Sequence, residues 1–525
     1  GVVSADLATT ARSAVITAVR YENVSAAAIG NIASSNTNGV FGACSGGSDA
    51  NSWSQSLQID SEGAPAFVAL AKRHRTHTPL DFAVDSDQLA GSGGNTTGLV
   101  IGNQGFSTTG ATTISGTFNK NVDWAAVTIE ILPAADSNTA SFAELPPVPV
   151  PPENPITEEK RILGKILFWD EQLSSDDTVA CGTCHLPSAG GADPRLGQHP
   201  GPDGIFGNDD DVNGSPGVVL ADETNTPIPH PDFGFEPQVT RRSAPVFIGA
   251  QWAHLLFVDG AAGHHFHDPQ TGAMLISTHA ALENQAIRPP LATAEMANQG
   301  RDWPDVIAKL EASVPLSLAT NWPADIAARL ASSPSYPDLF QDAFGDPAIT
   351  AARMAFALAT YQRTLIADQT PWDLFMAGDT TALTPAQQLG WDAFKDSLCA
   401  SCHKPPLFTS GHFHNIGVRP PDEDLGKQEV TGLAMDRGKF KTPTLRNAAL
   451  KSSFMHNGKL ITMGQALDFY LNDRGDQFLD SLDPLMPLVD IPPDLQLPLL
   501  DFLENGLTDP RVANEEFPFD RPTLS

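Results

Sequence analysis

The chain has 525 residues, 41% of them hydrophobic, and a formal net charge of −31 at pH 7. Such a length exceeds what one hydrophobic core supports and implies two to four domains. A surface this acidic repels nucleic acid and anionic lipid and favours basic protein partners, and no apolar run nears the roughly 18 residues of a membrane span.

Residues 1–143 are rich in Ser, Thr, Asn, Gly and Ala, with short β-type runs at Ala14–Tyr21, Ala66–Ala71, Gly98–Ile101 and Ala125–Leu132 separated by polar turn clusters. This pattern predicts an all-β sandwich. The chain opens at Gly1 with no signal-peptide pattern, which reads as a mature or trimmed chain. Leu145–Pro155 (LPPVPVPPENP) predicts an extended, semi-rigid tether over residues 144–155.

Beyond the tether the texture becomes helical. Thr157 opens an amphipathic run to Trp169, and Thr384-Pro-Ala-Gln387 opens another with an N-cap threonine and a glutamine three residues on. Both runs carry Leu-Gly-x-x-x-Phe, at Leu163–Phe168 and Leu389–Phe394, and each then enters a Cys-x-x-Cys-His unit. Further helices are predicted near Trp303–Glu311, Pro323–Ala331 and Thr350–Ile366. The weak repeat suggests two related modules, over residues 156–380 and 381–525.

Five cysteines are present, and Cys44 alone stands outside the two units. Cys181-Gly-Thr-Cys184-His185 and Cys399-Ala-Ser-Cys402-His403 each offer two thiols at the spacing of haem vinyl groups, followed by an imidazole that reaches the iron. A four-thiolate zinc site would use the same pairs. The histidine directly after each pair, and more than 200 residues between the pairs, favour two covalently bound haem c groups. Two other stretches offer metal ligands. Asp203–Asp211 gathers oxygen donors in a Gly-rich loop, which a solvated acidic loop explains equally well, and His264-His-Phe-His267-Asp268 gathers imidazoles, for which hydrated or hydrogen-bonded histidines are the commoner outcome.

Several motifs in order resemble the bacterial di-haem cytochrome c peroxidases and the related protein MauG. They are Ile162–Asp170, Leu173-Ser-Ser-Asp176, Arg242-Ser-Ala-Pro245, Leu256-Phe-Val-Asp-Gly260, Leu282-Glu-Asn-Gln285, Thr293-Ala-Glu-Met296, Phe440–Asn447 and Phe454-Met-His-Asn-Gly458. The resemblance covers about residues 156–510 and implies a mainly α body of two cytochrome-c-like domains. It implies His185 and His403 as proximal iron ligands, the first haem as the peroxide site and the second as an electron store or relay. Glu295 then falls at the distal acid/base position and Gln285 at its polar partner. Pro289 matches MauG. Tyr470 stands 14 residues after His456, where the peroxidases place a methionine ligand and MauG a tyrosine.

There are departures. Val258 stands where the family usually has a tryptophan between the haems. An inter-haem calcium ion is implied at Ser243, where an asparagine is usual, and at the carbonyls of Lys451 and Ser453. His199 lies near a removable ligand of some peroxidases and receives no role. The implied activity is hydrogen peroxide reduction with electrons from a small cytochrome or cupredoxin, or MauG-like oxidation of a protein substrate. The alternative is a non-catalytic electron-transfer cytochrome. The expected compartment is the periplasm, cell exterior or cell surface.

Overall fold

A computed structural model describes residues 144–471 and 478–525, together with eight strands between residues 24 and 133. The strands are β1 Val24–Asn36, β2 Gly39–Val40, β3 Ala50–Ile59, β4 Pro65–Arg73, β5 Ala83–Ala90, β6 Thr97–Gly105, β7 Gly110–Val122 and β8 Trp124–Pro133. They form an antiparallel sheet in the order β2-β1-β8-β4-β6-β5 and a separate β3-β7 pair. Along β3, Trp53, Gln55 and Leu57 are buried while their neighbours are exposed, the period-two pattern of a sheet with one dry face. Trp53, Leu57, Ile114 and Phe118 from the pair join Val68, Leu70, Val100 and Ala126 from the larger sheet in one apolar cluster. The Ala14–Tyr21 run and Cys44 lie outside the described residues.

The chain divides into two compact units, residues 1–141 and 142–525. The second is mainly helical. Its helices are α1 Glu158–Trp169, α2 Cys181–Cys184, α3 Ala281–Ala286, α4 Trp303–Ala312, α5 Ala324–Leu330, α6 Tyr336–Phe344, α7 Ala351–Arg363, α8 Pro371–Met376, α9 Pro385–Lys395, α10 Cys399–Cys402, α11 Gln428–Thr431, α12 Met463–Leu471, α13 Pro493–Asp501 and α14 Pro510–Ala513. The start signals act as their chemistry dictates. Thr157 accepts from the Lys160 amide, and Thr384 and Gln387 exchange reciprocal side-chain bonds at 3.2 and 3.0 Å.

The Leu-Gly-x-x-x-Phe repeat has one physical meaning in both places. A Cβ on Gly164 would stand 1.9 Å from the Ala357 carbonyl oxygen of α7, and one on Gly390 would stand 2.1 Å from the Pro498 carbonyl oxygen of α13. Each glycine therefore lets its helix lie directly against a partner backbone. Two apolar cores follow. One gathers Leu163, Ile166, Leu167 and Trp169 of α1 with Leu358 and Tyr361 of α7. The other gathers Trp391 and Phe394 of α9 with Trp372, Phe408, Leu499 and Phe502.

The predicted tether is docked on the helical body. Pro146 and Pro149 carbonyls accept from Trp252 Nε1 at 2.9 Å and Arg363 Nε at 3.3 Å. Asn154 is fully buried, donating to Glu283 at 2.9 Å and accepting from Lys160 at 2.9 Å. Proline content explains its extended backbone, but the Glu283–Arg363 pair beneath it, at 2.7 Å, supplies the partner that composition alone does not reveal.

Candidate haem sites

The first Cys-x-x-Cys-His unit begins one loop after α1. Trp169 closes α1, fully buried, and donates from Nε1 to the Tyr361 hydroxyl at 3.2 Å. His185 Nδ1 lies 3.1 Å from the Gly191 carbonyl oxygen, so the ring donates there and leaves Nε2 free. Burial lowers the His185 pKa and keeps the imidazole neutral, the form that ligates metal. Arg195, clamped by Asp193 at 2.8 Å, reaches Cys184 Sγ at 3.2 Å.

A cavity of about 320 Å³ opens beside this unit. Cys181, Cys184, His185, Gln285, Pro289 and Glu295 all line it. Chain segments a hundred residues apart thus converge on the same space. Gln285 sits near the end of α3, which Glu283 anchors to Arg363 and Asn154. Glu295 is fixed through its backbone, its carbonyl accepting from the Val218 amide at 3.1 Å. Burial raises the Glu295 pKa above the ordinary carboxylate range.

In the second unit His403 Nδ1 lies 3.2 Å from the Phe408 carbonyl and 3.1 Å from that of Pro443. Its Nε2 is again free, and burial takes the ring down to about 4. Tyr470, on α12, has its phenol pKa pushed up by burial first and then by the Cys402 and Cys399 thiols, which sets the hydroxyl within electrostatic reach of both. Met463 opens the same helix but packs, 7% exposed, into the second core. All four cysteines of the two units are free of disulfides. Unbridged thiol pairs, oriented neutral imidazoles and an adjoining cavity at the first unit fit covalently attached haem.

Val258 also lines the cavity, and its carbonyl accepts from the Lys441 amide at 2.7 Å. Trp252 is committed to Pro146 instead. Arg242 pairs with Asp259 and Asp424, at 2.5 and 2.6 Å. Ser243 and Ser453 hydroxyls meet at 3.0 Å, and the Ser243 amide donates to the His456 carbonyl. Burial brings the Lys451 ammonium down to about 8. Among the described residues, no three His, Cys, Asp or Glu side chains gather at a point that would hold a metal ion, the 203–211 and 264–268 stretches included. His199 is occupied otherwise, its Nδ1 accepting from the Gly201 amide and its ring against Phe233.

Sequence reasoning missed Arg195 on the Cys184 sulfur, Lys441 on the cavity wall and the Arg242 fork. Arg242 stood inside a quoted motif, but its partners Asp259 and Asp424 are distant in sequence. Only the nearness of Asp193-Pro-Arg195 to the first unit offered a signal.

The family model described as di-haem cytochrome c peroxidase matches residues 158–381. The methylamine utilization protein MauG of Methylorubrum extorquens is 30% identical over 375 residues, which span 71% of this chain and 84% of that protein. MauG of Methylophilus methylotrophus is 28% identical across 64% of this chain and 82% of its own length. A solved MauG-like protein associated with microbial copper homeostasis aligns with TM-score 0.49 and 22% identity, over 73% of this chain and 98% of that one. The chain belongs to the di-haem cytochrome c peroxidase and MauG family of oxidoreductases.

Proposed function

We propose that this protein carries two haem c groups, on Cys181/Cys184 and Cys399/Cys402, and reacts with hydrogen peroxide in the cavity beside His185. The observation that supports this reading most is the convergence of Glu295, Gln285 and Pro289 on the cavity that Cys181, Cys184 and His185 also line. A haem bound there supplies the iron at which the peroxide O–O bond breaks. The protein's part is proton management. Glu295 takes the proton from the oxygen that binds first and returns it to the oxygen that leaves, while the Gln285 amide orients the peroxide. Pro289 lines the same cavity.

His403 and Tyr470 are the residues proposed to hold the iron of a second haem, which would supply storage or relay of electrons. An anionic oxygen donor such as Tyr470 would favour the ferric state, which supports a MauG-like reading. Substrates are then hydrogen peroxide with either a redox protein or an oxidisable protein. Calcium at Ser243 with the Lys451 and Ser453 carbonyls is the proposed ion between the haems. The two helical modules are proposed to be cytochrome-c-like domains, preceded by a β-sandwich, in a periplasmic or extracellular protein. No helix among the described residues is long and apolar enough to cross a membrane.

Glu295→Gln tests this reading. The variant keeps both haems, and its reaction with peroxide slows by roughly two to four orders of magnitude, the usual weight of positioned proton transfer. Because burial raises its pKa, Glu295 stays protonated, and unable to act as base, to a higher pH than a free carboxyl. The wild-type rate therefore falls on acidification through that raised value, and the variant loses this limb. An unchanged rate and profile in the variant would refute the role.

A further inference from the structure

The tether grips a charge pair that stands behind one wall of the cavity. Gln285 and Ala286 of α3 form part of that wall, and Pro289 follows them. With only six residues and no side-chain cap at Ala280, α3 has too few bonds of its own to fix its place. It is held from behind. Glu283 precedes Gln285 by two residues, about 200° round a helix, so the two side chains leave α3 on opposite faces. Glu283 is fully buried, and Arg363 of α7 donates to both its oxygens, at 2.7 and 2.9 Å. Arg363 also donates to the His279 carbonyl, just ahead of α3, at 3.0 Å.

The tether completes this arrangement. Asn154, fully buried, donates from Nδ2 to Glu283 Oε1 at 2.9 Å and to the Phe356 carbonyl of α7 at 3.0 Å. Its Oδ1 accepts from Lys160 Nζ at 2.9 Å, and the Pro149 carbonyl accepts from Arg363 Nε at 3.3 Å. One amide thus ties α3 to α7, whose Leu358 and Gln362 line the same cavity. Asn154 does not line it. A buried carboxylate oxygen left without its donor is costly, and a short helix relieves that cost by shifting.

We propose that Asn154 is a positioning residue: through Glu283 it sets where α3, and Gln285 upon it, meets the cavity. A residue of the proline-rich tether then tunes how tightly the first haem site holds a ligand. The inference rests on the peroxide reading above for the part played by Gln285.

The probe is fluoride, an anion that binds an open ferric haem and gains from a hydrogen-bond donor beside it, titrated optically against the ferric holoprotein. Asn154→Ala raises the fluoride Kd about tenfold, the weight of one hydrogen bond to a charged group. Gln285→Ala raises it comparably, and the two together raise it no further, because both remove the same contact. Asn154→Asp sets two carboxylates face to face and also weakens fluoride binding. Asn154→Asp with Glu283→Gln exchanges donor and acceptor and returns the affinity near the wild-type value, which separates positioning from a general loss of packing. Amide exchange quickens in α3 of Asn154→Ala while the optical spectrum of the second haem stays as it is. Unchanged fluoride affinity in Asn154→Ala would overturn the proposal. So would separate effects of Asn154→Ala and Gln285→Ala that add, or an exchanged pair no better than Asn154→Asp alone. If Gln285→Ala leaves fluoride and peroxide reactions untouched while Asn154→Ala weakens fluoride, the role of Gln285 in the peroxide reading fails and the hold of Asn154 on the cavity wall stands.

Discussion

At the scale of single residues, the two haem units and their surroundings were legible to different degrees. Cys181, Cys184 and His185 are neighbours in sequence because thioether attachment demands it, so the spacing itself carries the chemistry. Glu295 and Gln285 carry no such signal. They meet His185 only because α3 and the loop after it fold over the cavity, and family resemblance was the sole route to them from sequence. Tyr470 too was reached only through the family resemblance, which implies a ligand 14 residues after His456, and its phenol pKa is raised by burial and then by the second pair of thiols. Tyr470→Phe should keep both haems attached, alter the optical spectrum of one, and raise that haem's potential within the roughly 0.8 V that axial ligands command. Redox titration with optical detection checks this. A variant with wild-type spectrum and potential would exclude Tyr470 as a ligand and return the second iron to some other donor.

At the scale of elements, helix starts were readable because caps are local. Thr157 and Thr384 satisfy the amides of their own first turns, and both helices begin where those residues predict. Helix partners were not readable, since Gly164 says only that something comes close and not that α7 does. The substitution Gly164→Ala pits two magnitudes against each other. Helix propensity alone favours alanine by about 1 kcal/mol, whereas overpacking costs about 1–3 kcal/mol. The obstacle here is a backbone carbonyl at 1.9 Å, which has no rotamer to yield. Gly164→Ala is therefore expected to lower the melting temperature of the holoprotein, and a rise would show that α1 and α7 can separate without loss. What holds the tether was not readable, for the same reason of non-locality. Its prolines predict extended backbone, but the buried Asn154–Glu283–Arg363–Lys160 network that holds it joins residues up to 209 positions apart.

At the scale of the whole molecule, the composition makes the chain strongly acidic, and no helix among the described residues is long and apolar enough to cross a membrane. The separation into a strand-rich unit ending at Ser141 and a helical unit beginning at Phe142 coincides with a change in texture visible in the sequence. The central claim is that the helical unit is a peroxide-reacting enzyme rather than a passive electron carrier. Stopped-flow mixing of the ferric holoprotein with hydrogen peroxide, followed at the Soret band, tests it most directly. The account predicts a prompt Soret change whose rate rises linearly with peroxide concentration. A Soret band that stays unmoved at millimolar peroxide would contradict it and leave an electron-transfer cytochrome.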